Sequence, residues 1–174
     1  MNNDRDKIIL VDLNDNEIGF DNKMDVHYQG VLHRAFSIFI VNNKKMLIQK
    51  RNINKYHSGG LFTNACCSHP REGEILEHAI HRRLNEEMGF DCELKEVTSF
   101  VYYHNFNNGT IEYELDHVYI GNYSGEINID PDEAESAEWV DILWLKQDVM
   151  NHPENYTVWF IIALPKVLKA LDMA

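Results

Sequence analysis

Two cysteines stand side by side at Cys66 and Cys67, and His69 follows two residues after the second. In an extended segment residues two apart share a face, so Cys67 and His69 project together while Cys66 points the other way. One thiol then faces a site and the other a core, although free cysteines as a pair also read as small buried fillers. Glu112 and Glu114 repeat the two-residue spacing with Asp116 beyond them, and Ile111, Tyr113 and Leu115 take the opposite face. Carboxylates this close repel unless a cation or a proton holds them; the alternative is a solvated sheet face. Three histidines, His27, His33 and His69, are available to join them. Three imidazoles with two carboxylates suit Zn2+ or Mn2+ better than Ca2+, which takes an all-oxygen shell.

The cations are informative because they are few. The formal net charge of the 174-residue chain is -12, so its general surface repels nucleic acid and anionic lipid, and an anionic small substrate needs a local basic cluster. Ala79, Arg83 and Glu87 lie four apart and form one row of a helix. Arg83 and Glu87 read either as a surface ion pair or as a phosphate-binding cation beside a Mg2+-binding carboxylate. Arg51 and Lys55 precede Cys67, and Lys23 precedes His27 by four residues; each alone also reads as a solubilising charge.

The elements that must position these groups follow from periodicity and turn chemistry. Residues 8–12 and 18–20 read as a hairpin about Asn14-Asp15-Asn16, and 35–41 and 46–50 as another about Asn42-Asn43-Lys44-Lys45. Residues 61–67 read as a strand. Leu76, Ala79, Ile80, Leu84 and Met88 recur at helical spacing over 74–88, with Gly89 placed to end the helix. The β-branched and aromatic content of 97–104 and 111–121, joined by Asn107-Asn108-Gly109, predicts a long antiparallel pair. A short strand over 137–140 and helices over 143–150 and 157–171 complete a three-layer α/β fold.

With 44% hydrophobic and 25% charged residues, the chain reads as one globular domain over residues 1–174. Its polar start, residues 1–7, has no signal-peptide core, and no run of about 18 apolar residues suggests a membrane span. The odd count of three cysteines argues for reduced thiols and, with the missing leader, a cytoplasmic protein. Monomer and weak homodimer are both compatible with the C-terminal helix.

Taken in order, Leu32-His33-Arg34-Ala35-Phe36-Ser37, Thr63-Asn64-Ala65-Cys66-Cys67-Ser68-His69-Pro70, Arg82-Arg83-Leu84-Asn85-Glu86-Glu87-Met88-Gly89, Glu112-Tyr113-Glu114-Leu115-Asp116-His117 and Tyr156-Thr157-Val158-Trp159 resemble the type I isopentenyl-diphosphate delta-isomerases. The resemblance implies a Nudix-like three-layer α/β/α sandwich with mixed sheets. It implies that His27, His33, His69, Glu112 and Glu114 bind one divalent metal, Mn2+, Zn2+ or Mg2+, and that Glu87 helps bind a Mg2+ riding on a small-molecule diphosphate. Lys23, Arg51, Lys55 and Arg83 match the family's diphosphate contacts, Cys67, Tyr102 and Glu114 its catalytic residues, and Trp159 its aromatic wall.

The implied reaction moves a double bond through a carbocation, with cations near Cys67 favouring its thiolate. The alternative is diphosphate hydrolysis, the commoner activity of the fold. Against it, alignment of the Nudix hydrolase box on Gly89 puts Arg83 where the box has a glutamate and Ser68 where it has its first glycine.

Overall fold

The computed structural model describes residues 7–173, so the start of the chain and its last residue lie outside the described residues. Nine strands and four α-helices follow one another as β1 (Lys7–Val11), β2 (Glu17–Asn22), α1 (Lys23–Gln29), β3 (His33–Asn42), β4 (Lys45–Arg51), β5 (Phe62–Asn64), β6 (Cys66–Ser68), α2 (Leu76–Met88), β7 (Leu94–Asn105), β8 (Ile111–Asn122), β9 (Ala134–Asp141), α3 (Ile142–Asn151) and α4 (Val158–Ala170). A 3-10 turn, Pro153–Asn155, joins the last two helices.

Strand β3 organises the sheet. One of its edges pairs in parallel with β8, from His33 opposite Glu114 to Val41 opposite Asn122. Its antiparallel partners are β1 at His33, β6 at Phe36 to Ile38 and β4 at Ile40 to Asn42. β7 closes on the far side of β8, while β4 also carries β5 and β9.

Alternation along β3 divides the core in two. Phe36, Ile38 and Ile40 pack with Ala79, Ile80, Leu84 and Met88 of α2. Phe39 and Val41 face the other way, onto Ile142, Leu145 and Val149 of α3 and Phe160, Leu164 and Val167 of α4. Helices therefore cover both faces, in the three layers expected of the α/β class. Burying each large aliphatic or aromatic side chain contributes roughly 1.5–3 kcal/mol, so the two clusters hold the sheet at fixed depth between its helices.

Three local features depart from the pattern in the sequence. α1 is a two-turn helix between Asn22, whose side chain accepts from the Met24 amide, and Gly30 in the left-handed conformation at φ 65. The expected 61–67 strand is broken at Ala65 into β5 and β6, which pair with different neighbours. Helix α2 begins at Leu76 without a side-chain cap, because its N-cap residue Ile75 has no acceptor; the preceding Glu74 is bonded to the Arg71 amide at 3.0 Å and to the Arg82 guanidinium at 2.6 and 2.7 Å.

Candidate active site

The register of the sheet assembles a carboxylate–imidazole cluster. His33 lies directly beside Glu114 in the parallel pairing, Tyr102 lies opposite Glu114 across β7, and His104 lies opposite Glu112. Their strand face continues into Val118 of the core packed by α3 and α4, so Glu112, Glu114 and Asp116 are buried at 2%, 7% and 1% exposure. The solvated-face alternative for these acids is thereby overturned. α1 supplies His27, and the turn after β6 supplies His69.

His27, His33, His69, Glu112 and Glu114 each offer a donor atom within 4.8 Å of the others. Hydrogen bonding orients these donors. His27 Nδ1 donates to the Lys23 carbonyl at 2.6 Å and His33 Nδ1 to the Val31 carbonyl at 2.8 Å. A carbonyl only accepts, so each Nδ1 carries a proton, and Nε2 is the ring atom left to act as a ligand in the neutral tautomer. The Nε2 atoms face carboxylate oxygens, His27 at 3.4 Å from Glu112 and His33 at 3.5 Å from Glu114. His33 Nε2 and Glu112 Oε2 are buried without hydrogen-bond partners. Acceptors facing acceptors in a buried space need a cation or a proton between them, and the mixed nitrogen and oxygen donor set fits one divalent metal.

Charge in this cluster is unevenly held. Burial opposes ionisation of Glu114, but its close contacts with Glu112, His33 and His69 outweigh it and hold its carboxyl well below the usual range. Burial, with the Glu114 charge added, pushes Glu112 up to about 7. Tyr102 Oη donates to Glu114 Oε2 at 2.7 Å and His69 Nε2 lies 2.8 Å from Glu114 Oε1. Glu114 is thus tied to a phenol on one oxygen and an imidazole on the other.

Cys66 and Cys67 divide as their alternation requires. Cys66 is fully buried with α2 in one core, while Cys67 lines a cavity of about 90 Å3 with Tyr102, Glu112, Glu114, His69 and Trp159. The expectation that neighbouring cations favour the Cys67 thiolate fails. Burial pushes the thiol up to about 12 although Arg51 opposes it, with NH1 at 3.9 Å from Sγ. One guanidinium at that distance does not replace the water the sulfur has lost.

Lys23, Arg51, Lys55 and Arg83 line the same cavity. Arg51 lies 5.2 Å from the centre of the Trp159 ring and Lys23 5.3 Å from that of Tyr56. Arg83 is bonded to Glu87 at 2.5 Å, to Glu86 at 2.8 Å and to Glu133 at 3.0 Å. Glu87 is 2% exposed, which excludes a solvent-facing pair, yet it is not among the cavity-lining residues. Burial raises its carboxyl despite Arg83.

Three cavity residues escaped the sequence reading: Tyr56, His57 and Glu133. His57 is buried, stacks on Phe106 with ring centres 4.4 Å apart and sets its Nε2 against Glu112 Oε1. Burial and Arg51 lower His57 to about 3, so it is neutral. It lies on the 52–61 connection, where no periodicity marks it. Glu133 is the last residue of the turn before β9 and shows nothing in sequence beyond its charge.

A family model for the NUDIX domain matches residues 31–160. Isopentenyl-diphosphate Delta-isomerase 2 of Photorhabdus laumondii is 55% identical over 88% of this chain and 87% of its own. The isopentenyl-diphosphate Delta-isomerase of Serratia proteamaculans is 49% identical over 95% and 93%. Among solved structures, a Deinococcus radiodurans protein superposes with a TM-score of 0.77 at 17% identity, covering 92% of this chain and 98% of its own. The MutT NUDIX hydrolase of Burkholderia pseudomallei gives 0.60 at 22%, covering 78% and 98%. The structural likenesses share the fold alone; sequence identity across most of both chains draws the narrower boundary, and this chain belongs to the isopentenyl-diphosphate Delta-isomerases of the Nudix fold.

Proposed function

We propose that this chain, as a single domain, interconverts isopentenyl and dimethylallyl diphosphate at the cavity between Cys67 and the Tyr102–Glu114 pair. The observation that carries the reading is that two proton-handling groups reach one cavity from strands on either side of β3. Cys67 on β6 is a thiol, and Glu114 on β8 is a carboxylate bonded to the Tyr102 hydroxyl. Moving the double bond needs a proton delivered to C4 and another taken from C2. Microscopic reversibility lets each group serve as acid in one direction and base in the other.

Protonation at C4 leaves a tertiary cation at C3, and the Trp159 indole, 4% exposed in the wall, offers a π face for that charge while excluding water. Lys23, Arg51, Lys55 and Arg83 hold the diphosphate. His27, His33, His69, Glu112 and Glu114 would hold one divalent ion, Mn2+, Zn2+ or Mg2+, which supplies positive charge that orients the Glu114 carboxylate. Glu87, bonded to Arg83, is assigned to the Mg2+ accompanying the substrate diphosphate.

Arg83 favours this reading over hydrolysis, because it sets a cation where a hydrolase needs a metal-binding carboxylate. Replacing Cys67 by Ala or Glu114 by Gln tests the assignment. Each is expected to lower kcat by at least about 100-fold, the lower range for a lost acid or base. Wild-type turnover in a folded variant would remove that residue from the mechanism.

A further inference from the structure

The four cavity cations are not equally free. Lys55 Nζ bonds Glu133 Oε2, and Arg83 NH2 donates to Glu133 Oε1 at 3.0 Å. Among the described residues Lys23 and Arg51 make no ion pair. Lys23 stands over Tyr56, and Arg51 over Trp159 with donors at 3.9 Å from Cys67 Sγ and 3.5 Å from the His57 carbonyl. One carboxylate therefore occupies half of the cation set.

Glu133 is held in this position by its backbone. Its amide donates to the Asp130 carbonyl at 3.0 Å, its carbonyl accepts from the Asn52 amide at 3.0 Å, and Asn52 Nδ2 donates to the Pro131 carbonyl at 2.7 Å. Its side chain is 24% exposed. A second cavity of about 170 Å3 adjoins the first, and Glu133 and Arg83 belong to the wall of both.

We propose that Glu133 is a charge-selecting residue, whose carboxylate stands in the free protein where substrate phosphoryl oxygens bind Lys55 and Arg83, and is displaced by a diphosphate. The proposal rests on the diphosphate reading of the cation cluster. An entering anion must offer the two cations more than a carboxylate already gives them. A singly charged anion does not; a diphosphate, with several charges and more oxygens, does. Selection arises from a standing competitor, which lowers every affinity by a common factor, so that anions holding the two cations weakly fall below useful binding while a diphosphate still binds.

Glu133→Gln keeps the shape and an acceptor oxygen for Arg83 while removing the charge. Calorimetric titration of the full chain with inorganic diphosphate under saturating Mg2+ is expected to give a Kd about tenfold lower in the variant, equivalent to ~1.4 kcal/mol. KM for isopentenyl diphosphate falls with it. An unchanged or weaker Kd overturns the proposal, a weaker one meaning that Glu133 works with the bound ligand. If Glu133→Gln fails to fold, Glu133→Ala removes the same charge and carries the same expectation. Arg51→Gln separates the two readings. If the wild type binds no diphosphate, the diphosphate reading itself fails; if it binds, Arg51→Gln weakens it and Glu133→Gln does not tighten it, only the Glu133 proposal fails.

Discussion

Replacing Arg83 by Met leaves the Glu87 carboxylate, 2% exposed, with only the neutral donors Gln49 Nε2, at 3.3 Å, and the Cys66 thiol among the described side chains. Removing one partner of a buried pair costs ~3–5 kcal/mol, because a charge stays in a space without water. At ~2–4 °C per kcal/mol for a chain of this size, the melting temperature at neutral pH falls by ~6–20 °C. The loss depends on pH in a definite direction. Burial already raises Glu87 above its ordinary range with Arg83 present, and removing the guanidinium raises it further. A carboxyl raised in the folded state binds more protons there than when unfolded. Its stabilising contribution is complete below the unfolded value of ~4.3 and is lost as pH rises through the folded value. The gap between variant and wild type is therefore small at acid pH and widens toward neutrality. Arg83→Met/Glu87→Met, which removes both charges, recovers most of it. Denaturant unfolding of the wild type, Arg83→Met, Glu87→Met and the double variant over that pH range is the assay. A pH-independent gap, or a double variant as unstable as the sum of the single ones, would refute the reasoning.

Cys67 should be slow to alkylate. A thiol pushed up to about 12 from 9.0 has a thousandth of the ordinary thiolate share, partly offset by greater intrinsic nucleophilicity, so iodoacetamide labels it roughly 50-fold more slowly than a free cysteine. Peptide mass spectrometry of the ligand-free protein measures this, and labelling as fast as a free cysteine contradicts the burial argument. His33→Ala should cost ~10–100-fold or more in affinity for Mn2+, read by competition with a fluorescent chelator. Unchanged affinity removes His33 from the ligand set.

The sequence made much of the site legible because period-two alternation carries over directly to a strand. Glu112, Glu114 and Asp116 do share a face, and Cys66 and Cys67 do divide between core and cavity. Periodicity found α2, since its apolar stripe spans more than three turns. The same criterion misses α1, whose seven residues are mostly polar; only the Asn22 cap and Gly30 stop mark it. The parallel pairing of β3 with β8, which sets His33 beside Glu114, joins segments about eighty residues apart and has no local signature. Nor do His57 and Glu133, because a loop side chain acquires its role from what the loop is tied to. The thiol expectation failed for a related reason: a nearby cation is visible in sequence, whereas the loss of water around sulfur is not.

The central claim is that the cavity moves a proton across an allylic system and leaves the diphosphate whole. The purified protein with Mg2+ and isopentenyl diphosphate, followed by proton and phosphorus NMR, tests it directly. The account predicts that the two C4 vinyl protons give way to the second methyl signal of dimethylallyl diphosphate while both phosphorus resonances persist unchanged. Release of inorganic phosphate with the vinyl protons intact would contradict it.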